Sequence, residues 1–127
     1  MSVLEAIRKR RSIRKYRPDA VPDDVLNRLL EAARLAPSGK NLQPWKFILV
    51  RSEETKKRLA QASAGQMFIS EAPLVLVACG DPESCYARMG RYMKSWPVDV
   101  ACALEHLMLQ AAEEGLGTCW IGAFDES

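Results

Sequence analysis

The chain has 127 residues, of which 48% are hydrophobic and 27% are charged, and its formal net charge at pH 7 is +2. These values are typical of a globular enzyme domain, so we expect one domain spanning residues 1–127. The nearly balanced charge argues against a polycation built to bind nucleic acid. No apolar run approaches the roughly 20 residues of a membrane helix, and no cleavable leader precedes the first helix, so we expect a cytoplasmic protein without a membrane partner.

The first predicted element is a short amphipathic helix that runs into a basic segment. Its apolar face is formed by Val3, Leu4 and Ile7. Residues 8–17 then carry seven cations. Arg10 and Arg14 are four residues apart, so with Ser12 they can converge on one phosphate or polar ring edge, whether the helix persists or ends near Ser12. Basic runs also form solvated faces and nucleic-acid patches, so this segment alone leaves its role open.

A second helix is predicted between Pro22 and Pro37, and a polar loop follows it. Residues 36–45 read Ala-Pro-Ser-Gly-Lys-Asn-Leu-Gln-Pro-Trp, which places two turn-setting prolines around small and amide side chains. Such a loop offers a hydroxyl, two amides and free backbone N–H groups at one place, and these groups suit an oxygen-rich ligand. Loops of this composition often only connect elements, so a plain connection is the alternative.

The middle of the chain predicts two strands and a third helix between them. The strands are expected over residues 45–50 and 72–78, and the helix over residues 53–62. Residues 81–96 then combine aromatic and cationic side chains with weak periodicity. These side chains could stack on an acceptor or attract an anion, and a surface helix with a few buried rings is an equally good interpretation.

The longest predicted helix covers residues 97–114 and is apolar on almost every side. The other helices of a small chain hardly provide enough cover for it, so the pattern favours a subunit interface over a central core helix in a monomer. Gly115 and Gly117 are expected to end this helix before a strand over residues 118–121. Asp125 has the character of an N-cap with Glu126 in the first turn, so a further helix is expected to start where the sequence ends.

Three segments resemble motifs of the nitroreductase family of FMN-dependent oxidoreductases, in the same order along the chain. They are Arg-Arg-Ser-Ile-Arg at residues 10–14, the polar loop at residues 36–45, and Gly-Leu-Gly-Thr-Cys-Trp-Ile-Gly-Ala-Phe at residues 115–124. The resemblance implies an α+β fold with a central, mostly antiparallel sheet flanked by helices and a long buried helix at a homodimer interface. It also implies that a C-terminal segment is missing, which in relatives carries a basic residue for the FMN phosphate.

The resemblance also assigns cofactor-binding residues. The first motif would hold the phosphate, the ribityl chain and the pyrimidine side of FMN through Arg10, Arg11, Ser12 and Arg14. The loop, which family dimers contribute from the partner subunit, supplies Pro37, Ser38, Gly39, Asn41 and Gln43. The backbone beside the flavin N5 atom corresponds to Ile121, Gly122 and Ala123. No side chain is assigned as catalytic, and the four cysteines lack a CxxC pair, so no metal site is expected.

The activity implied by the resemblance is hydride transfer from NAD(P)H through FMN to a nitroaromatic, a quinone or another small molecule. Ping-pong kinetics would follow because donor and acceptor use the same flavin face. Arg14 is the candidate cation that stabilises the reduced, anionic flavin. The alternatives are a non-reductive flavin-binding or flavin-consuming member of the same fold and, more distantly, a nucleic-acid-binding module whose affinity falls steeply with salt.

Overall fold

The chain forms five α-helices and two strands in this computed structural model, which describes residues 1–127. The elements are α1 (Val3–Lys9), α2 (Asp23–Arg34), a 3₁₀ turn (Gly39–Asn41), β1 (Trp45–Val50), α3 (Glu53–Ala62), α4 (Phe68–Glu71), β2 (Val75–Gly80) and α5 (Trp96–Glu113). β1 and α3 have the bounds that the sequence predicts. None of the helices combines the length and the hydrophobicity needed to cross a membrane.

α1 begins at a capping box and ends before the basic segment. The Ser2 hydroxyl accepts from the amide of Glu5 at 3.2 Å, and the Glu5 carboxylate accepts from the amide of Ser2 at 2.7 Å. Arg10 has extended backbone angles (φ −63°, ψ 127°), so α1 stops at Lys9. The helical alternative for residues 10–14 is therefore wrong, and Arg10 and Arg14 do not share a helix face.

The sheet consists of two antiparallel strands, with Trp45 opposite Gly80 and Val50 opposite Val75. β2 starts at Val75 and not at residue 72, because Pro73 has no N–H to donate to a ladder. The predicted strand over residues 118–121 is wrong, since Thr118 makes only an isolated parallel bridge to the segment after α1. An antiparallel sheet with helices packed beside it confirms the predicted α+β class.

The core lies where α2 packs along α5, and α5 also contacts both strands. Its fully packed members are Leu29, Ala33, Ala36, Ala103, Leu107 and Ala111. Alanines from both helices meet there, so the two backbones approach closely and the leucines fill the space between them. Trp45, Phe47 and Leu76 cover this cluster from the sheet side.

α5 contacts α1, α2 and both strands, yet its cover is incomplete. Ala103 and Ala111 are fully buried, whereas Cys102, Leu104 and Leu109 are only half-buried. The helix ends in a Schellman motif: the amide of Leu116 donates to the carbonyl of Ala111 at 2.8 Å, and Gly115 has φ +78°. The expected glycine stop is confirmed. An interface with a second subunit stays a prediction.

The apolar face of α1 exists as predicted, but the chain does not cover it. Ala6 is its one buried residue. Val3, Leu4 and Ile7 are 74%, 53% and 49% exposed. An amphipathic helix normally buries its apolar face, so these three residues form an uncovered surface beside α5.

The surface-helix interpretation of residues 81–96 is wrong. Residues 81–95 contain no helix, and their only strand-like contact is a bridge between Met89 and Met93. Near the C-terminal end, the Asp125 carboxylate accepts from the amide of Ser127 at 2.9 Å, which is the bond an N-cap makes, although no helix is present there.

Candidate functional site

A cleft of about 240 Å³ lies between the segment after α1 and the C-terminal end of α5. It is lined by Lys9, Arg10, Arg11, Ile13, Ala112 and residues 115–118. Two of the three sequence motifs, about a hundred residues apart along the chain, therefore form one concave surface. Within the first motif the cleft contains Arg10 and Arg11, whereas Ser12 and Arg14 do not line it.

Backbone hydrogen bonds fix the two walls of the cleft to each other. The Schellman motif turns the chain at the end of α5, and Thr118 then pairs with Ser12 in a parallel bridge. The amide of Ile13 donates to the carbonyl of Thr118 at 2.9 Å. The carbonyl of Ile13 accepts from the hydroxyl of Tyr16. Because main-chain groups join the two walls, the position of the basic segment does not depend on flexible cationic side chains.

All charged side chains that line the cleft are cations. They belong to Lys9, Arg10 and Arg11, and no carboxylate is among the lining residues. Arg10 is half-buried and its Nε atom lies 3.7 Å from the Glu105 carboxylate, which offsets part of one charge. The C-terminal end of α5 adds a partial negative charge equivalent to about half an electron. The net field of the lining therefore attracts an anion.

The polar loop of residues 37–43 is a compact turn held by its own side chains. Lys40, Asn41 and Gln43 all have left-handed backbones, with φ of 53°, 56° and 51°. The Ser38 hydroxyl accepts from the amide of Gln43 at 3.0 Å, and the Gln43 side chain donates to Asn41 at 3.1 Å. Asn41 and Gln43 are exposed. None of Pro37, Ser38, Gly39, Asn41 and Gln43 lines the cleft of the same chain.

The predicted site residues of the third motif, 121–123, lie beside the chain that follows α3 and not in the cleft. Ile121, Gly122 and Ala123 belong to no helix or strand. The carbonyl of Ala123 accepts from the side chain of Gln66 at 3.4 Å, and the next segment is tied to the end of α3 by a 2.8 Å bond between the amide of Asp125 and the carbonyl of Ala62. The twelve predicted site residues thus occupy three places. Only Arg10 and Arg11 line the cleft with residues 115–118, which are called the glycine segment below, and Ser12 pairs with Thr118 beside it.

Comparison with known proteins identifies the family of the chain. The sequence model of the nitroreductase family matches residues 7–96 and 86–127. The chain belongs to the nitroreductase family.

Relatives and solved structures of the family support the fold. A protein of Methanothermobacter thermautotrophicus, whose name proposes NADH dehydrogenase or NAD(P)H nitroreductase activity, is 33% identical over 124 residues, which are 98% of this chain and 62% of that protein. A nitroreductase family protein from Clostridium novyi NT superimposes with a TM-score of 0.90 and 39% identity over 99% of this chain and 72% of its own. An FMN-dependent nitroreductase from Clostridium difficile R20291 superimposes with a TM-score of 0.80 and 39% identity, over 93% of this chain and 65% of its own. The chain thus spans less than two thirds of the length of the Methanothermobacter protein.

Some residues of this nitroreductase-family site were not selected from the sequence. Lys9 and Thr118 line the cleft. Lys9 directly precedes the first motif, and Thr118 lies inside the third motif, so both could have been selected from the sequence. Asp99 binds the polar loop through the amide of Gly39 at 3.2 Å. The available signal for Asp99 was a lone carboxylate in an otherwise apolar stretch of helix.

Tyr16 reports on the surroundings of the first motif. Burial raises the pKa of its phenol, the nearby Cys119 raises it further, and the positive charge of Arg14 lowers it in part. Arg14 is thus close enough to Tyr16 to influence its pKa, and it does not line the cleft. With a raised pKa the phenol stays protonated at neutral pH and keeps donating to the carbonyl of Ile13.

A second, more open cleft of about 530 Å³ lies beside α3 and α4. Its charged lining residues are Glu53, Lys57 and Glu71. This mixed set contains no cluster of one sign, and none of the three motifs contributes to the lining. It lacks the features that distinguish the first cleft of this nitroreductase-family chain.

Proposed function

We propose that this chain is an FMN-dependent oxidoreductase that transfers hydride from NAD(P)H to a small-molecule acceptor, with nitroaromatics and quinones as the first candidates. The observation that carries the proposal is the cationic cleft between the arginine motif and the glycine segment. Support also comes from the Clostridium difficile R20291 structure, which is named as an FMN-dependent nitroreductase and matches over 93% of this chain.

The donor groups of the cleft fit the phosphate end of FMN. Guanidinium and ammonium groups together with a threonine hydroxyl suit a phosphate dianion. The volume of about 240 Å³ is below the roughly 300–1,000 Å³ of complete small-molecule sites, so the isoalloxazine ring needs further walls. We assign Arg10, Arg11 and Ser12 to the phosphate and ribityl chain, and the backbone of Ile121, Gly122 and Ala123 to the ring near N5.

When bound, FMN would supply the redox chemistry by taking two electrons and a proton equivalent as hydride from NAD(P)H and passing them to the acceptor. The chain's own contribution is binding and electrostatics. Arg10 and Arg11 neutralise the phosphate, and the positive charge of Arg14 favours an anionic ring edge. One ring face must stay open for donor and acceptor in turn, and this sharing is the basis for proposing ping-pong kinetics.

We further propose that the active form is a homodimer. The polar loop carries Pro37, Ser38, Gly39, Asn41 and Gln43, yet it does not reach the cleft of its own chain. A loop from a second copy would supply the missing wall. The uncovered face of α1 and the half-buried side of α5 are the surfaces that such a copy would cover. All four cysteines are unpaired, which fits the proposed cytoplasmic location.

A titration with FMN tests the proposal. The purified protein is expected to show flavin absorbance, to bind added FMN and to oxidise NAD(P)H when a quinone or nitroaromatic is present. Arg11→Gln should weaken FMN binding by about tenfold, since it removes a charged hydrogen-bond donor from an exposed position where folding is unaffected. Arg17→Gln is the matched control, because Arg17 belongs to the same basic run and does not line the cleft.

The outcomes separate the alternatives. Equal loss of FMN affinity in both variants would contradict the assignment of the cleft. FMN binding without turnover of any donor and acceptor pair would favour a non-reductive flavin protein. Failure to bind FMN, combined with binding to DNA or RNA that falls steeply with salt, would replace the proposal with a nucleic-acid function.

A further inference from the structure

Asp99 is a buried acid whose hydrogen bonds join two distant parts of the chain. It lies in the first turn of α5 and is 5% exposed, and its neighbour Ser95 is 1% exposed. One carboxylate oxygen accepts from the Ser95 hydroxyl at 2.6 Å. The other accepts from the amide of Gly39 at 3.2 Å. A buried carboxylate is tolerated only when it is hydrogen-bonded, so both bonds are needed to keep Asp99 in place.

The loop that Asp99 binds has a strained backbone. Lys40, Asn41 and Gln43 adopt left-handed angles, which residues with side chains seldom occupy. Three such residues so close together persist only when the surrounding structure holds them. The bond from the Gly39 amide to the Asp99 carboxylate is the hydrogen bond that joins this turn to α5.

Gly39 and Ser95 also contact a third segment of the chain, around Tyr86. A Cβ atom on Gly39 would lie 2.8 Å from the Cβ atom of Tyr86, so the loop packs against this residue at a distance that only glycine allows. The carbonyl of Tyr86 accepts from the amide of Ser95 at 2.8 Å. The ammonium of Lys40 lies 5.2 Å from the centre of the Tyr86 ring.

We propose that Asp99 is a positioning residue that holds the polar loop in its left-handed form and couples it to the segment around Tyr86. The Asp99 cluster, defined as Gly39, Tyr86, Ser95 and Asp99, acts through the geometry of the loop and does not touch FMN. The part of the proposal that concerns activity rests on the proposed function, because it requires that Asn41 and Gln43 serve a flavin site.

Amide hydrogen exchange tests the cluster without any cofactor. Asp99→Leu removes both acceptors and should speed exchange at the amides of residues 39–43 by at least about tenfold, since the loop loses a charged hydrogen bond. Asp99→Asn retains an oxygen for the amide of Gly39 and should restore most of the protection. Lys56→Met is the control. Lys56 is equally buried, at 3% exposed, but its bonds go to Glu53 and Ala72, so the loop should keep its protection.

Gly39→Ala approaches the same cluster from the loop side and leaves α5 intact. The added methyl group would collide with Tyr86, so exchange in residues 39–43 should rise as in Asp99→Leu. This variant carries the test if Asp99→Leu does not fold. Unchanged exchange in the loop of either folded variant would overturn the proposal.

FMN affinity provides the second readout. Asp99→Leu should raise the dissociation constant for FMN by about tenfold, because binding must then order the loop, and Asp99→Asn should recover most of it. Faster loop exchange with unchanged FMN affinity would overturn the link between the cluster and the flavin site. A wild-type chain that binds no FMN would defeat the proposed function instead, and the exchange result would still decide whether Asp99 holds the loop.

Discussion

α1 and α2 are both amphipathic helices that pack on α5, and the chain buries them to very different extents. α2 buries Leu26, Leu29 and Ala33 in the core, whereas α1 buries only Ala6 and leaves three larger apolar side chains exposed. The periodicity of a sequence therefore identifies an apolar face but not what covers it. α2 is covered within the chain, and α1 offers a surface to something outside it.

The largest expected difference between the two helices is in stability. Leu107→Ala opens a cavity in the α2–α5 core, where Leu107 is 6% exposed, and should lower the free energy of unfolding by about 2–5 kcal/mol. Leu4→Ala, at a site that is 53% exposed in α1, should cost less than about 1 kcal/mol. Urea denaturation at low protein concentration measures both. Similar losses would show that α1 is as much a part of the core as α2.

A smaller effect is expected when the uncovered face of α1 is changed, and it concerns the association of two chains into a dimer. Ile7→Asp places a charge in the uncovered face of α1 and should shift the mass in solution from dimer to monomer, because a charge at an apolar contact is not compensated. Met67→Asp is the matched control, since Met67 is 47% exposed and Ile7 is 49% exposed. Analytical ultracentrifugation measures the mass in solution. A dimer that withstands Ile7→Asp would remove α1 from the proposed interface.

The smallest expected effect concerns the ion pair that joins α2 to the end of α5. The Arg28 guanidinium donates to the Glu114 carboxylate at 2.7 Å and 2.8 Å and lowers the pKa of that carboxyl. A lowered folded-state pKa stabilises the fold above the ordinary carboxyl pKa, and the stabilisation is lost as pH falls through the folded value. Glu114→Gln should therefore lower Tm slightly at pH 7 and have no effect in strong acid.

The control for this pair lies within α2 alone. Arg34 also lowers the pKa of Glu31, but that carboxylate is 52% exposed and the pair joins no second helix. Glu31→Gln should change Tm less than Glu114→Gln at pH 7. If the two variants lower Tm by the same amount, the ion pair does not stabilise the contact between α2 and α5.

The parts of the fold that the sequence predicts are those determined by neighbours along the chain. β1 follows from the run of apolar and aromatic residues at 45–50. α3 follows from its amphipathic pattern and starts after Ser52, whose hydroxyl accepts from the amide of Thr55. The glycine stop of α5 follows from the left-handed backbone at Gly115. Each depends on local propensity and capping, which a short window of sequence contains.

The parts that it misses depend on contacts between distant segments. A strand at residues 118–121 required a neighbour over several residues, and the segment after α1 pairs only at Ser12. The bond from Gly39 to Asp99 spans 60 residues. The motifs identified the family and the cations of the cleft, but periodicity carries no information on which loop meets which helix.

The pair of strands has a further consequence for handling the protein. β1 and β2 are each other's sole partner, so each presents an outer row of free N–H and C=O groups. β2 has the sequence Val-Leu-Val-Ala-Cys-Gly, which contains neither a charge nor a proline that would hinder pairing with another strand. Any extended peptide, including another copy of this strand from a partly folded molecule, can add to that row. Refolding at high concentration should therefore yield aggregates rich in β-structure, and dilute conditions should favour recovery of native protein.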